Sequence, residues 1–242
     1  MSTILIVGAT GATGRHLVRE LLDRGHRVKA IVRSRARVPR DLQVRQGLTL
    51  IEGTALDFED RELAGHVDGC DGIASCLGHT LSFKGIFGPP HRLVTNSVRR
   101  LCEAIRVTKP AQPIRFVLMN TTGNRNRDLA ERVSLPERAA LSLLRRLVPP
   151  HADNEDAAQY LRTQVGPDDP VIQWVAVRPD TLIDEDAVSA YELHPSPIRS
   201  PLFNAGKTSR INVGHFMATL LDDDAVWSHW KGRMPVMYNQ ST

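Results

Sequence analysis

Short runs of apolar, β-favouring residues alternate along the chain with stretches whose apolar positions fall at helical spacing. Residues 4–7 (Ile-Leu-Ile-Val) read as a buried strand, and Leu17, Val18, Leu21 and Leu22 as the inner face of the helix after it. Asp23-Arg24-Gly25-His26 stops that helix, with a glycine just past its end. Residues 28–32 predict a second strand and 48–53 a third, with a short helix over 57–65. A fourth strand is expected at 72–78. A helix follows at 92–105, buried through Leu93, Val94, Val98, Leu101 and Ile105, and then a fifth strand at 114–119. A helix over 151–164 precedes a sixth strand at 172–177, and a last helix at 213–221 precedes a closing strand at 235–238.

Two stretches break the alternation. Residues 124–150 carry six arginines among apolar positions and read as one amphipathic helix with flanking loops, ended by Pro149-Pro150. Residues 184–210 begin as an irregular segment rich in proline. Strands alternating with helices predict an α/β fold, a Rossmann-type doubly wound parallel sheet with helices on both faces. The expected organisation is one domain over 1–242, with 124–150 as an insertion-like helix and loop and 184–210 as a small C-terminal lobe on the substrate side. Ligands in such sheets sit beyond the carboxyl ends of the strands, where the strand order reverses.

The glycines give that edge its chemistry. Gly8, Gly11 and Gly14 fill the turn between the first strand and the first helix. Open backbone N–H groups and the positive end of a helix dipole make such a turn a site for a pyrophosphate. Gly8 would permit the turn, Gly11 the approach of the phosphate, and Gly14 the packing of helix on strand. The spacing is GxxGxxG rather than GxGxxG, so the weight lies in its place after an apolar strand and before a periodic helix. A glycine-rich turn without a ligand is the bland alternative.

Arg33 closes the second strand, with Ser34, Arg35 and Arg37 beside it and no carboxylate between Asp23 and Asp41. An acid at this point accepts from a free ribose 2′-hydroxyl, whereas a guanidinium suits a 2′-phosphate. NADP is therefore favoured over NAD, and a solvated basic loop is the alternative. The apolar loop over 81–90 reads as a lid or substrate wall, or as simple packing.

Composition narrows the classes. The chain has 242 residues, 41% of them hydrophobic, and a formal charge of +4 spread over 26 arginines and 5 lysines. No basic stripe interleaves with aromatics, so a nucleic-acid partner is not expected. Cys70, Cys76 and Cys102 lack CxxC spacing, and no signal peptide precedes the first strand, which points to a reduced, cytoplasmic protein. No apolar run approaches the ~18 residues that span a membrane. HExxH, clustered Cys/His and GxSxG patterns are all missing, so neither a metal centre nor a serine hydrolase is expected. The partner implied is a small-molecule substrate, for a monomer or homodimer.

The motifs then stand in a familiar order: GATGATG at 8–14, Val32-Arg33, Glu52-Gly53 with Asp57, residues 116–123 (FVLMNTTG), Tyr160-Leu161-Arg162, and Val177-Arg178-Pro179-Asp180. This resembles the atypical short-chain dehydrogenase/reductases, in the branch with NmrA-like proteins and flavin/biliverdin reductase B, over essentially the whole chain. The resemblance implies that Gly8, Thr10, Gly11, Ala12, Thr13 and Gly14 wrap the pyrophosphate and that Arg33 with Ser34 holds the 2′-phosphate. It places Asp57 near the adenine, although Thr54 replaces the first acid of the family's GDxxD element. It also places Cys76, Leu77 and Gly78 beside the ribose, Asn120 with Thr121 and Thr122 at the serine region of strand five, and Pro179, Thr181 and Leu182 at the carboxamide.

One departure bears on the reaction. Family catalysis uses Tyr-x-x-x-Lys, in which the lysine lowers the tyrosine pKa. Here Tyr160, Tyr191 and Tyr238 are followed at that spacing by Gln164, Pro195 and Thr242. Tyr160 matches a helix-packing tyrosine instead. Thr121, Thr122 and His151 are then the catalytic candidates, with His79, Asp153 and Asn154 as further polar groups; Asp153 or Asn154 also suits an N-cap of its own helix. The expected activity is NADP(H)-dependent hydride transfer to a small quinone-, flavin- or carbonyl-like acceptor. A non-catalytic, NmrA-like NADP-binding redox sensor is the alternative.

Overall fold

The computed structural model describes residues 1–79, 88–131, 136, 140, 142–143, 145 and 148–240. Its strands are β1 (Thr3–Val7), β2 (Arg27–Val32), β3 (Leu48–Glu52), β4 (Gly72–Ser75), β5 (Ile114–Met119), β6 (Ile172–Pro179), β7 (Thr181–Ile183), β8 (Tyr191–His194), β9 (Lys207–Ser209) and β10 (Val236–Asn239). Eight of them form one sheet in the order β3-β2-β1-β4-β5-β6-β10-β8, and β7 pairs with β9 apart from it. Every neighbour in the large sheet is parallel except β8, which runs antiparallel to β10 at the edge. The order reverses between β1 and β4, and that crevice is where a Rossmann sheet holds its ligand.

The helices are α1 (Gly14–Asp23), α2 (Arg40–Gln43), α3 (Asp60–Val67), α4 (Leu93–Thr108), α5 (Pro149–Tyr160), α6 (Arg210–Asp222) and α7 (Asp224–Trp230). Two apolar clusters lie on opposite faces of the sheet. One joins Leu5, Ile73, Phe116 and Trp174 to α3, α4 and α5; the other joins Ile4, Ile6, Val117 and Val175 to α1 and α6. β1 is buried along its whole length because it is covered on both faces, which is why it reads as a continuous apolar run. Gly214 lets α6 close on α1: a Cβ there would stand 2.9 Å from His16 Cβ and Leu17 N.

Several boundaries differ from the sequence reading. The short helix expected at 57–65 begins at Asp60, because Thr54 and Asp57 first close a turn, Asp57 N donating to Thr54 O and Thr54 Oγ1 to Asp57 Oδ2. Pro149 and Pro150 open α5, two residues before the helix expected from 151, and the end of the helix ahead of them falls on 146 and 147, outside the described residues. A proline in the first turn loses no hydrogen bond, since that N–H has no partner inside the helix. Residues 136, 140, 142, 143 and 145 are helical; the rest of the amphipathic helix expected within 124–150, from 132 to 147, lies outside the described residues. So does most of the proposed lid, residues 81–87. The 184–210 segment holds β8, β9 and the start of α6, and Asp223, accepting from Ala225 N and Val226 N, caps the unforeseen α7.

Candidate active site

The glycine turn is shaped by its neighbours. Gly8 has φ +79°, and a Cβ on it would lie 2.5 Å from the carbonyl carbon and oxygen of Cys76 and 2.8 Å from Leu77 N. A Cβ on Gly14 would collide with Gly8 O. The turn therefore folds back on itself and presses against the chain leaving β4, with Gly11 N donating to Gly8 O at 3.0 Å. Thr13 leads into α1 without a side-chain cap. Among the described residues nothing accepts from the backbone N–H groups of Ala12, Thr13 and Gly14. Arg15 follows, its Nε buried and without a partner among them. Orphan donors around a concavity that no Cβ may enter fit a pyrophosphate.

Arg33 is exposed just beyond β2, and Ser34 beside it precedes a short 3₁₀ turn over Arg35–Arg37. Arg35 turns back onto β3, donating to Leu50 O and lying 3.8 Å from Glu52. Arg33 is thus the side chain at the strand end. Asp57 sits in the turn after β3, engaged by Thr54.

Cys76, Leu77 and Gly78 leave β4 against the glycine turn. Cys76 is buried, its Sγ 3.9 Å from Met217 Sδ, and burial pushes its thiol up to about 12. It walls the crevice and takes no part as a nucleophile. Among the described residues nothing stands within 4 Å of where a Cβ on Gly78 would be.

The polar groups gather beyond β4 and β5. Asn120 Nδ2 donates to Asn154 O, and Asn120 Oδ1 accepts from Thr121 N and from Asn124 Nδ2. Thr121 Oγ1 accepts from Gly123 N, and a Cβ on Gly123 would come within 3.1 Å of His151 Cε1. Thr121, Gly123 and His151 therefore share one corner. Burial lowers the His151 pKa, with Glu155 opposing and Arg145 reinforcing. Thr122 is elsewhere: it is buried, and its hydroxyl bonds Asp180, whose carboxylate also accepts from Thr181 N and Gly206 N. Pro179 ends β6, and Thr181 and Leu182 lie on β7 opposite Lys207 and Thr208.

Asp153 caps a helix, but not its own. Its carboxylate accepts from Val94 N at 2.8 Å and Thr95 N at 2.9 Å, closing the N-terminus of α4 from across the interface, and it meets His79 Nε2 at 2.8 Å. Asn154 donates to Pro150 O within its own first turn. His79 and Asp153 are 74 residues apart, so no local pattern announces the pair. Tyr160 lies far down α5, under the Arg99 guanidinium at 5.4 Å, with its pKa raised by burial; it is a packing residue.

Arg178 is not a surface group turning off β6. It is fully buried in the strand and donates to Met234 O, Asn124 O and Pro195 O. Its Nη2 lies 2.7 Å from Glu131 Oε1 by charge rather than by an aligned hydrogen bond, while Glu131 Oε2 accepts from Asn126 N. This pair clamps the loop after β5 to the sheet. Among the described residues no group of His, Cys, Asp and Glu could hold a metal, and no helix is long and apolar enough to cross a membrane.

A family profile described as NAD(P)H-binding matches residues 8–224. A 35-residue stretch is 60% identical to the chloroplastic divinyl chlorophyllide a 8-vinyl-reductase of Zea mays; it covers 14% of this chain and 9% of that protein's length. The oxidoreductase YlbE of Lactococcus lactis superposes with a TM-score of 0.69 at 18% identity, over 99% of this chain and 92% of that one. A short-chain dehydrogenase/reductase of Veillonella parvula in complex with NADP gives 0.70 at 14%, over 100% and 96%. ChuY, an anaerobillin reductase from Escherichia coli O157:H7, gives 0.69 at 17%, over 100% and 98%. At these identities the solved structures show a shared fold.

Proposed function

The chain belongs to the NAD(P)H-binding family, and from that premise we propose that it is an NADP(H)-dependent oxidoreductase of the atypical short-chain type. The observation that carries the reading is the glycine turn, closed to any Cβ at Gly8 and Gly14 and lined with N–H groups that have no acceptor among the described residues. Gly8, Thr10, Gly11, Ala12, Thr13 and Gly14 would hold the pyrophosphate. Arg33 with Ser34 would hold the 2′-phosphate, which is what selects NADP over NAD. Asp57 would face the adenine, and Cys76, Leu77, Gly78 and Asn120 the ribose. Pro179, Thr181 and Leu182 would line the carboxamide. When bound, the cofactor supplies a hydride.

The chain's own residues would orient the acceptor and exclude water. Thr121 and His151 share a corner where an acceptor oxygen or nitrogen could be held. The loop between β8 and β9 leaves Ile198, Leu202 and Phe203 exposed, Phe203 by 67%, next to the Asp180 turn beyond β6. Such apolar side chains suit a flat, conjugated acceptor, a small quinone-, flavin- or carbonyl-like molecule, better than a sugar. Two of the similar proteins are reductases by name, of divinyl chlorophyllide and of anaerobillin. The compartment proposed is the cytoplasm.

The test is direct. Purified protein is mixed with NADPH and a panel of quinones, flavins, linear tetrapyrroles and simple carbonyls, and absorbance at the reduced-nicotinamide band is followed. Oxidation at enzyme-like rates, about 1–10³ per second, supports the reading. Tight binding with no turnover would make the chain an NADP-binding redox sensor instead, and no binding of either nucleotide would remove both.

A further inference from the structure

The glycine turn has a cation beside it that no contact accounts for. Arg15 follows Gly14 directly and is the second residue of α1. The residue is half-buried and its Nε is closed to solvent. Among the described residues its guanidinium has no hydrogen bond or ion pair. Arg19, one turn further on, is by contrast held by Asp41, through Nε at 3.2 Å and Nη2 at 2.8 Å. Arg24, just past the far end of the helix, is held by Glu20.

The position is electrostatically wrong for an arginine on its own. A helix N-terminus carries the positive end of the backbone dipole, which favours an anion and disfavours a cation. The first turn of α1 holds no acid. His16, the next residue, registers the result: burial lowers its pKa, and Arg15, Arg19 and Arg210 lower it further against Asp184. Positive charge therefore accumulates where the N–H groups of Ala12, Thr13 and Gly14 are also without an acceptor among the described residues. A helical side chain leans back towards the N-terminus of its own helix, so Arg15 leans towards the glycine turn. Gly11 and Ala12 are exposed there, which leaves the turn open to a ligand. Open N–H donors, a helix dipole and an unpaired guanidinium at one helix end suit a polyanion.

We propose that Arg15 is a ligand of the cofactor's pyrophosphate, working beside the open N–H groups of the glycine turn. The proposal rests on the NADP(H) oxidoreductase reading and deepens it. The planar fork of a guanidinium matches two oxygens of one phosphate. Its full charge offsets what the backbone N–H groups, with only partial charges, leave uncompensated. The pyrophosphate is common to NADPH and NADH, so Arg15 sets the affinity for both, whereas Arg33 tells them apart. One cation then holds the nucleotide and the other selects it.

The experiment uses full-length protein and reads binding and melting rather than turnover. Arg15→Gln should weaken NADPH and NADH by the same factor, roughly tenfold to a hundredfold. ADP-ribose, which keeps the pyrophosphate and lacks both nicotinamide and 2′-phosphate, should lose as much. Arg15→Lys keeps the charge without the fork, so for all three it should fall between wild type and Arg15→Gln. Without nucleotide, Arg15→Gln should melt within about 2 °C of wild type or above it, because no folded contact is lost and a cation leaves the positive end of a helix. An arginine with a purely structural role would lower that melting temperature. Arg15→Gln protein that binds NADPH and NADH as wild type does overturns the assignment. So does a loss confined to NADPH, or a loss matched by a destabilised nucleotide-free protein, and each leaves the oxidoreductase reading standing. Wild-type protein that binds neither nucleotide overturns both.

Discussion

The carbonyl of Cys76 occupies the space that a side chain on Gly8 would need. A Cβ there would stand 2.5 Å from both Cys76 C and O, on a backbone already at φ +79°. The two residues come from strands on either side of the point where the sheet order reverses, so one contact sets the width of the crevice. Gly8→Ala should therefore damage stability and cofactor binding together. The positive φ alone costs about 1–3 kcal/mol, and relief of the clash must move the chain after β4. Thermal melting and NADPH titration check this. A variant that melts normally and binds normally would mean that the turn is not held as described.

This turn was also the most legible part of the chain. The apolar run before Gly8 and the periodic helix after Gly14 predict strand, turn and helix within a residue or so of where they lie. Long covered elements carry their own signal, because burial on both faces writes a continuous apolar run and burial on one face writes a 3.6-residue period. What escaped the sequence has no such local imprint. β8 has four half-buried residues at an antiparallel edge, followed directly by Pro195, too short for its alternation to register. α7 is announced only by Asp223 within a run of three aspartates. Asp153 looked like a cap for its own helix, whereas it caps α4 across 58 residues of sequence. Arg178 read as a turn residue because its partner, Glu131, lies in the irregular stretch after β5. Contacts of this range are set by tertiary packing, which spacing along one chain does not encode.

Arg178 and Glu131 make a second prediction. Both side chains are out of water, at 0% and 2% exposure. Removing one partner of such a pair strands a buried charge and costs about 3–5 kcal/mol. For a chain of this size Glu131→Ala should then lower the melting temperature by roughly 6–20 °C. Glu131→Gln keeps an acceptor for Asn126 N and loses only the charge, so it should fall between the two. A loss of under 1 kcal/mol in the alanine variant would show that the three carbonyls around Arg178 suffice.

The pH dependence follows from His151. Its pKa in the fold is below the 6.5 of a free ring because burial disfavours the cation. The unfolded chain thus takes up the proton first as pH falls, and His151 begins to subtract stability below 6.5 and does so fully below its folded value. His16 and His215 are lowered in the same way, also chiefly by burial. The melting temperature should decline between about pH 7 and pH 5 with three contributors. His151→Gln should flatten that slope while leaving a constant offset above pH 7.5 or so. An unchanged slope would mean that the ring is neutral or charged alike in both states.

The last prediction concerns which nucleotide is held. Arg33 stands exposed at the end of β2, while its neighbour Arg35 is drawn off to Leu50 O and Glu52. If the Arg33 guanidinium binds a 2′-phosphate, removing it deletes charge-assisted hydrogen bonds made only to the phosphorylated ribose. Arg33→Ala should weaken NADPH by roughly tenfold to a hundredfold and NADH by no more than about twofold. Its effect on NADPH should also shrink as salt is raised, because an exposed contact is screened. Arg35→Ala is the matched control, since that side chain is engaged with β3. Equal losses of NADPH and NADH in Arg33→Ala would withdraw the 2′-phosphate assignment and leave the glycine turn as a site for either nucleotide. A larger NADPH loss in Arg35→Ala than in Arg33→Ala would move the assignment two residues along the loop.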